Sequence, residues 1–376
     1  MPLENIYETP KVLGAPTRYV LGPRVVEKLH RWIPLLGGKR ALLIGGRTSL
    51  KQCEEQIRTA LAEAGCEVGA YSNKEKYCTD EAADRLVEEA KAAECDFVIG
   101  VGGGSIMDLA KLVAHRLGVK VALINTVAST DAPCSALSVV YDENHVFKRY
   151  EFYPYNPALV IVDSEIIARA PVKFLVYGMG DASSTKFEAE AVYASRSKNC
   201  LREGALPTHT ALTLARLCWE LLTKYGTEAI LACERNAVTP ALEMIIEANT
   251  LLSGLGFESG GLAAAHAIHN GLTAAPHVRG AHGQLVAIGT LTQLVLENQP
   301  KEVILELLSF YKAVGLPMTL EEINVSEDDL EIVAEKATAP GETIHNEPFK
   351  VTKEMVINAL NAADAIGTKF KEEGTI

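Results

Sequence analysis

The chain has 376 residues and carries 36 Lys+Arg against 48 Asp+Glu, a formal net charge of −12. Hydrophobic residues make up 48% and charged residues 22%, which excludes a disordered chain. The acidic balance, without a Lys/Arg-rich run, argues against a protein that grips nucleic acid through its phosphates.

The length suggests two or three domains at about 150 residues each. None of the eight cysteines forms a C-x-x-C pair, and the N-terminal MPLENIYETPKVLG has no apolar signal core. No apolar stretch approaches the ~18 residues needed to span a bilayer. A cytoplasmic protein with reduced thiols and no membrane partner is expected.

In chain order, Ala41–Ile44 is a short apolar run ending in Gly45-Gly46, which predicts a buried strand and a turn. Lys51–Ala64 then reads as a helix, with Ile57, Leu61 and Ala64 on one face. The helical run Glu81–Ala93 precedes a second strand, Phe97–Val101, and Ile106–Leu117 precedes a third, Val119–Ile124. Ala158–Val162 is a fourth. Continuous Val/Ile/Leu runs suit parallel strands covered on both faces, and their alternation with helices implies a doubly wound α/β sheet. After Asp163 the pattern turns helical: Met179–Ala194, Thr208–Lys224, Pro240–Leu255, Gly283–Glu297, Glu302–Val314 and Lys353–Lys371. A boundary near residue 170 is expected, with an α/β domain over 1–170 and an all-helical domain over 171–376.

The strand at Phe97 runs into Gly100-Val-Gly102-Gly103-Gly104-Ser105-Ile-Met-Asp108. Successive glycines let backbone N–H groups approach an anion without interference from a Cβ. Ser105 reads as a helix N-cap, and Asp108 completes a sequence resembling a capping box. A strand, a glycine turn and a helix N-terminus make a phosphate site; a tight turn that needs glycine only for packing is the alternative. The run is neither a Walker A loop nor a literal G-x-G-x-x-G. The polar loop Thr126–Ser138 follows the third strand, at the strand end where ligands bind in open α/β sheets.

In the helical half, Gly178-Met-Gly180-Asp181 places an Asp at or near a helix start. His266 and His269 stand at i and i+3, on one helix face, and His277 and His282 follow closely. Two imidazoles and a carboxylate suit a catalytic divalent cation with an open position, although single histidines more often cap helices or fill a core.

The segments GVGGGSIMDLAK, ASTDAPCSALSVVY, GMGDASSTKFEA, VTPALEMIIEANTLLSGLGFESGGLAAAHAIHNGLT, LTQLVLEN and GETIHN closely resemble the glycerol dehydrogenases of the iron-containing, or group III, alcohol dehydrogenase superfamily. The resemblance runs from about residue 17 to about residue 371. It implies a dehydroquinate-synthase-like architecture: an N-terminal dinucleotide-binding domain, a helical C-terminal domain and a cleft between them. It implies a metal site of Asp181, His266 and His282, Zn2+ being favoured over Fe2+, with His269 beside it. Gly102, Gly103, Gly104, Ser105 and Asp108 would serve the cofactor phosphates, and Gly46, Thr126, Ser129, Ser135, Leu137 and Tyr141 the remainder of an NAD or NADP site. Asp131 would contact the polyol, and His269 or Asp131 would take part in proton transfer. A homo-oligomer, octameric in some relatives, is implied as well.

Three departures stand out. Ser105 occupies a position that is usually Lys in this family. Gly46, followed by Arg47, Thr48 and Ser49, replaces the Asp that reads the ribose hydroxyls, which removes repulsion toward a 2′-phosphate. The segment Ala274–Ala281 is one residue short and carries His277, Arg279 and Gly280. The expected reaction is oxidation of glycerol to dihydroxyacetone with NAD(P)+, the metal acting as Lewis acid. The alternatives are an NADPH-dependent hydroxycarboxylate or aldehyde reductase, a dehydroquinate-synthase-like lyase, and a non-catalytic binding protein.

Overall fold

In a computed structural model, which describes residues 8–143, 147–202 and 204–376, the four expected strands are present and two more flank them. The strands are β1 (Arg18–Gly22), β2 (Arg40–Gly45), β3 (Glu67–Ser72), β4 (Phe97–Gly102), β5 (Lys120–Asn125), β6 (Leu137–Tyr141), β7 (Phe147–Phe152) and β8 (Leu159–Asp163). Six form a parallel sheet in the order β1-β8-β5-β4-β2-β3, and β6 pairs with β7 as an antiparallel hairpin. The helices of this part are α1 (Arg47–Glu63), α2 (Asp80–Ala92), α3 (Gly104–Leu117) and α4 (Ser164–Ala168).

Alternate residues of the central strands feed two cores. Leu43, Ile99, Ala122 and Ile161 pack with Val26, Leu29 and Ile57 on one face; Leu42, Ile44, Val98 and Leu123 pack with Leu86, Met107 and Val113 on the other. Burying each large aliphatic side chain there contributes about 1.5–3 kcal/mol. The edge strands β1 and β3 are partly exposed, so they carry no continuous apolar run to betray them.

The remaining helices are α5 (Lys173–Ser195), α6 (His209–Glu234), α7 (Pro240–Glu247), α8 (Ser253–Gly260), α9 (Ala264–Ala274), α10 (His282–Leu296), α11 (Lys301–Val314), α12 (Asp329–Ala337) and α13 (Lys353–Glu373). A π-helical turn, Ala248–Leu252, joins α7 to α8. Among the described residues no helix is long and apolar enough to cross a membrane.

The compact units do not follow a single cut at residue 170. One comprises Gly14–Phe174 with Leu231–Gly254; the other comprises Leu175–Ile230 and Leu255–Ile376 with residues 8–13. The returning segment belongs to the α/β unit because its polar side chains bond there. Thr250 Oγ1 meets the Tyr19 hydroxyl at 2.8 Å, Asn249 Nδ2 donates to the Ala128 carbonyl at 3.0 Å, and the Ser164 hydroxyl donates to Glu243 at 2.8 Å. Helical periodicity reports which residues coil, not which sheet they dock against.

Within the helical unit several helices cross at backbone contact. A Cβ on Gly283 would lie 1.7 Å from the Tyr177 carbonyl oxygen, and one on Gly180 would lie 2.3 Å from the Gly283 carbonyl oxygen. A Cβ on Gly289 would sit 2.3 Å from the Ala265 carbonyl oxygen. No side chain is tolerated at these points, so α5, α10 and α9 are locked in one register. Gly283→Ala is expected to lower stability by about 1–3 kcal/mol or more, the range for overpacking. Urea unfolding of the purified variant checks this, and unchanged stability would contradict the crossing geometry.

Candidate active site

Three candidate ligand positions stand beside those crossing points. Asp181 follows Gly180 on α5 and His282 precedes Gly283 at the start of α10, while His266 follows Ala265 on α9. Asp181 Oδ1 lies 3.0 Å from His282 Nε2 and 3.5 Å from His266 Nε2. One ligand atom from each of the three lies within 4.8 Å of the others, the donor set for a divalent cation. Asp181 sits inside α5, which begins at Lys173, and not at a helix start as its sequence context suggested. Gly180 before it serves the crossing with α10.

His266 is held from behind. Its Nδ1 meets Glu188 Oε2 at 2.6 Å, which leaves Nε2 facing Asp181. Glu188 is fully buried and stands about two turns along α5 from Asp181, a spacing that brings both to one face. That spacing was the available sequence signal for a residue the motif reading missed. Burial alone would depress the His266 imidazolium, but the Glu188 and Asp181 carboxylates outweigh it and raise it well above the ordinary value. Asp181 shows the converse: burial opposes ionisation, yet His282 and His266 hold its carboxyl far below the usual range.

The start of α9 has no side-chain N-cap at Ala263. Its buried N–H groups are satisfied from a distance. Glu188 Oε1 accepts from Ala263 N at 2.9 Å and from His266 N at 3.0 Å. Glu347 accepts from Ala264 N at 3.0 Å, and Gln293 accepts from Ala265 N at 2.9 Å. Burial first, and then neighbouring Glu297, push the Glu347 carboxyl up to about 9.

His269 adjoins the cluster: its Nε2 is 2.9 Å from His282 Nδ1. Burial and the flanking His282 and His266 keep it well below the ordinary value and therefore neutral. His277 is not part of the group. It is exposed and meets Asp329 at 3.4 Å. Arg279 donates to the carbonyls of Pro276 and Val278.

In the α/β unit the candidate cofactor residues gather at the C-terminal ends of β2, β4 and β5. The chain leaves β2 toward β3 and leaves β4 toward β5, so the order reverses between β2 and β4, where such sheets bind ligands. Gly46 caps α1 after β2; Gly102 ends β4; Gly103 is the residue before α3. Helix α3 begins at Gly104, so Ser105 lies inside its first turn and not at the N-cap expected of it. A Cβ on Gly103 would lie 3.0 Å from Val127, and one on Gly104 would lie 2.8 Å from the Thr130 hydroxyl. Glycine lets the turn pass close beneath the Thr126–Thr130 loop, where a Cβ would press on the Val127 and Thr130 side chains.

Asp108 does not complete a capping box. It is buried, pairs with Lys111 at 3.0 Å and accepts from Val139 N at 3.1 Å. Lys111, which the motif reading passed over, reaches on to the carbonyls of Ala132, at 2.8 Å, Ser135 and Leu137, and so pins the polar loop. Ser135 is fully buried there, and Thr126 N donates to the Gly102 carbonyl at 3.0 Å. Ser129 is half-buried, its hydroxyl 4.0 Å from where a Gly103 Cβ would stand. Leu137 and Tyr141 open and close β6; burial and Asp108 raise the Tyr141 phenol to about 12. Asp131 accepts from the Ser253 hydroxyl at 2.7 Å. The π-helical turn places Asn249 and Ser253 where both reach this loop.

The family model for iron-containing alcohol dehydrogenase matches residues 16–164. Glycerol dehydrogenase from Escherichia coli is 46% identical over 369 residues, covering 96% of this chain and 99% of that protein. Glycolaldehyde reductase from Halobacterium salinarum is 43% identical, covering 96% and 99%. The crystal structure of glycerol dehydrogenase from Schizosaccharomyces pombe superposes with a TM-score of 0.92 at 38% identity, covering 98% of this chain and 93% of that one. The chain belongs to the iron-containing alcohol dehydrogenase family, in its glycerol dehydrogenase branch, and is an oxidoreductase of CH–OH groups.

The folded chain holds a proton on Glu347 that the unfolded chain, with an ordinary value near 4.5, has released. Stability therefore falls as pH rises from about 4.5 to about 9. Glu347→Gln keeps the acceptor for Ala264 N and is expected to flatten that slope, as urea midpoints across this pH range would reveal.

Proposed function

We propose that this protein interconverts a small polyol, glycerol foremost, and its ketone, dihydroxyacetone, using NAD(P)(H) and a divalent metal, Zn2+ foremost. The observation that carries this reading is the convergence of two imidazole Nε2 atoms and one carboxylate Oδ1 at Asp181, His266 and His282. The donor set fits Zn2+ or Fe2+. When bound there, such an ion supplies Lewis acidity that makes a hydroxyl acidic near neutral pH. Asp181 contributes the negative charge of the set. Glu188 keeps the His266 Nε2 lone pair turned inward, and His269 stays neutral beside His282.

On the α/β unit, Gly102–Ser105 and the start of α3 offer backbone N–H groups to a pyrophosphate. Gly103 and Gly104 leave the cradle that side chains would fill. Gly46, Thr126, Ser129, Ser135, Leu137 and Tyr141 surround the rest of the dinucleotide; Asp108 acts from behind them by holding β6. Asp131, steadied by Ser253, is assigned to a substrate hydroxyl.

NADP(H) is accepted alongside NAD(H) in this reading. Arg47, Lys74 and Lys76 are exposed near the end of β2, whereas Glu75 turns its carboxylate inward to Arg85, at 2.6 Å, and Ser72. A second reading, reduction of a small hydroxyaldehyde with NADPH, is favoured by the likeness to glycolaldehyde reductase and by Arg47. We place the enzyme in the cytoplasm, in keeping with thiols such as Cys53, Cys66 and Cys78 that stay reduced, and expect a homo-oligomer.

The deciding experiment assays glycerol, 1,2-propanediol, dihydroxyacetone and glycolaldehyde against NAD(H) and NADP(H), before and after chelation. Glycerol oxidation abolished by chelation and restored by Zn2+ supports the proposal; full activity in metal-free protein would sink it. Arg47→Leu is expected to cut kcat/KM for NADP+ roughly 10- to 100-fold, the worth of one charge-assisted contact, while leaving NAD+ unchanged. A strong NAD+ preference in the unaltered protein would refute the NADP reading.

A further inference from the structure

The two imidazoles of the cluster turn the same atom, Nε2, toward Asp181, but their other nitrogens have unlike partners. Nδ1 of His266 faces the Glu188 carboxylate, which only accepts, so that nitrogen carries the hydrogen. Nδ1 of His282 faces Nε2 of His269 at 2.9 Å, and a neutral imidazole can donate or accept. The pair alone does not decide which nitrogen holds the hydrogen.

The next links decide it. His269 Nδ1 lies 3.2 Å from Asn270 Oδ1, Asn270 Nδ2 donates to Glu342 Oε2 at 2.9 Å, and Lys336 Nζ holds the other Glu342 oxygen. Glu342 is a carboxylate with a side chain only 10% exposed, so Asn270 must present its NH2 to it. The Asn270 carbonyl is then turned to His269 and accepts from Nδ1–H. His269 Nε2 is left as an acceptor, so it takes the hydrogen of His282 Nδ1. With a cation between it and Asp181 Oδ1, 3.0 Å away, His282 Nε2 thereby presents a bare lone pair to that cation. A reversed chain would put a hydrogen on that nitrogen and spoil it as a ligand.

We propose that Asn270 and Glu342 are positioning residues of the metal site, which act through His269 to hold His282 in the one neutral tautomer able to ligate a divalent cation. This rests on the metal reading given above. It adds a second outer partner, behind His282 rather than His266, with Glu342 supplied by the Gly341–Asn346 segment. Such outer partners typically change metal affinity 10- to 100-fold.

The test measures Zn2+ affinity of chelator-stripped protein by competition with a chromophoric chelator, alongside thermal unfolding of the same samples. Asn270→Leu is expected to weaken Zn2+ binding by roughly 10- to 100-fold. Glu342→Gln, which lets the Asn270 amide turn over, should weaken it less. The double variant Asn270→Asp with Glu342→Gln keeps the polarity, because the new amide donates to the new carboxylate, which accepts from His269. It should bind Zn2+ within a few-fold of the parent. Should Asn270→Leu fail to fold, Glu342→Gln and the double variant carry the comparison. Parental affinity in every folded variant would overturn the proposal, as would a double variant no tighter than Glu342→Gln. A parent protein that takes up no Zn2+ would instead remove the metal reading, and this proposal with it.

Discussion

Backbone contact between helices is the constraint on which the helical unit depends. Gly180 and Gly283 let α5 and α10 meet without side chains, and Gly289 lets α10 meet the Ala265 carbonyl of α9. Each of the three candidate ligands is next in sequence to one of these contact residues: Asp181 to Gly180, His282 to Gly283, His266 to Ala265. A helix backbone that cannot slide holds its ligands better than a loop can, because the position of each Cβ is set by rigid atoms. The small residues around the histidines and Asp181 are therefore part of the site as much as the ligands are.

A second demand follows from the first. Packing α9 this tightly buries its N-terminus, where orphan N–H groups would each cost about 1–3 kcal/mol if left unpaired. Glu188, Glu347 and Gln293 meet that cost from three other places in the chain. Glu188 serves twice, since one oxygen caps the helix and the other orients His266. The stability of the helix start and the aim of a ligand are thus one interaction, and a change at Glu188 cannot touch only one of them.

The α/β unit uses a different economy. Its glycine turn is squeezed beneath the loop after β5, and that loop is pinned from behind by a buried Lys111 that spends its charge on Asp108 and on carbonyl groups. The cation lies in the fold rather than at the surface. A chain with net charge −12 can hold a polyanionic dinucleotide in such a place because backbone N–H groups supply the local field.

Much was legible in the sequence by itself. Continuous apolar runs marked β2, β4, β5 and β8, because strands buried on both faces need no polar alternation. Helical periodicity marked most helices, and the resemblance to a known family implied Asp181, His266 and His282 as one candidate set. Local pattern failed where local pattern was not the cause. The half-exposed edges β1 and β3 carry too little apolar signal. Gly103 takes the cap position expected of Ser105, at a point where a Cβ would stand 3.0 Å from Val127. Asp181 lies inside α5, because Gly180 before it serves a crossing rather than a start. Only the tertiary structure returned Leu231–Gly254 to the α/β unit and brought Glu188, Asn270 and Glu342 behind the candidate ligands. Those partners are chosen by distance in space, and composition and spacing along a chain carry no record of it.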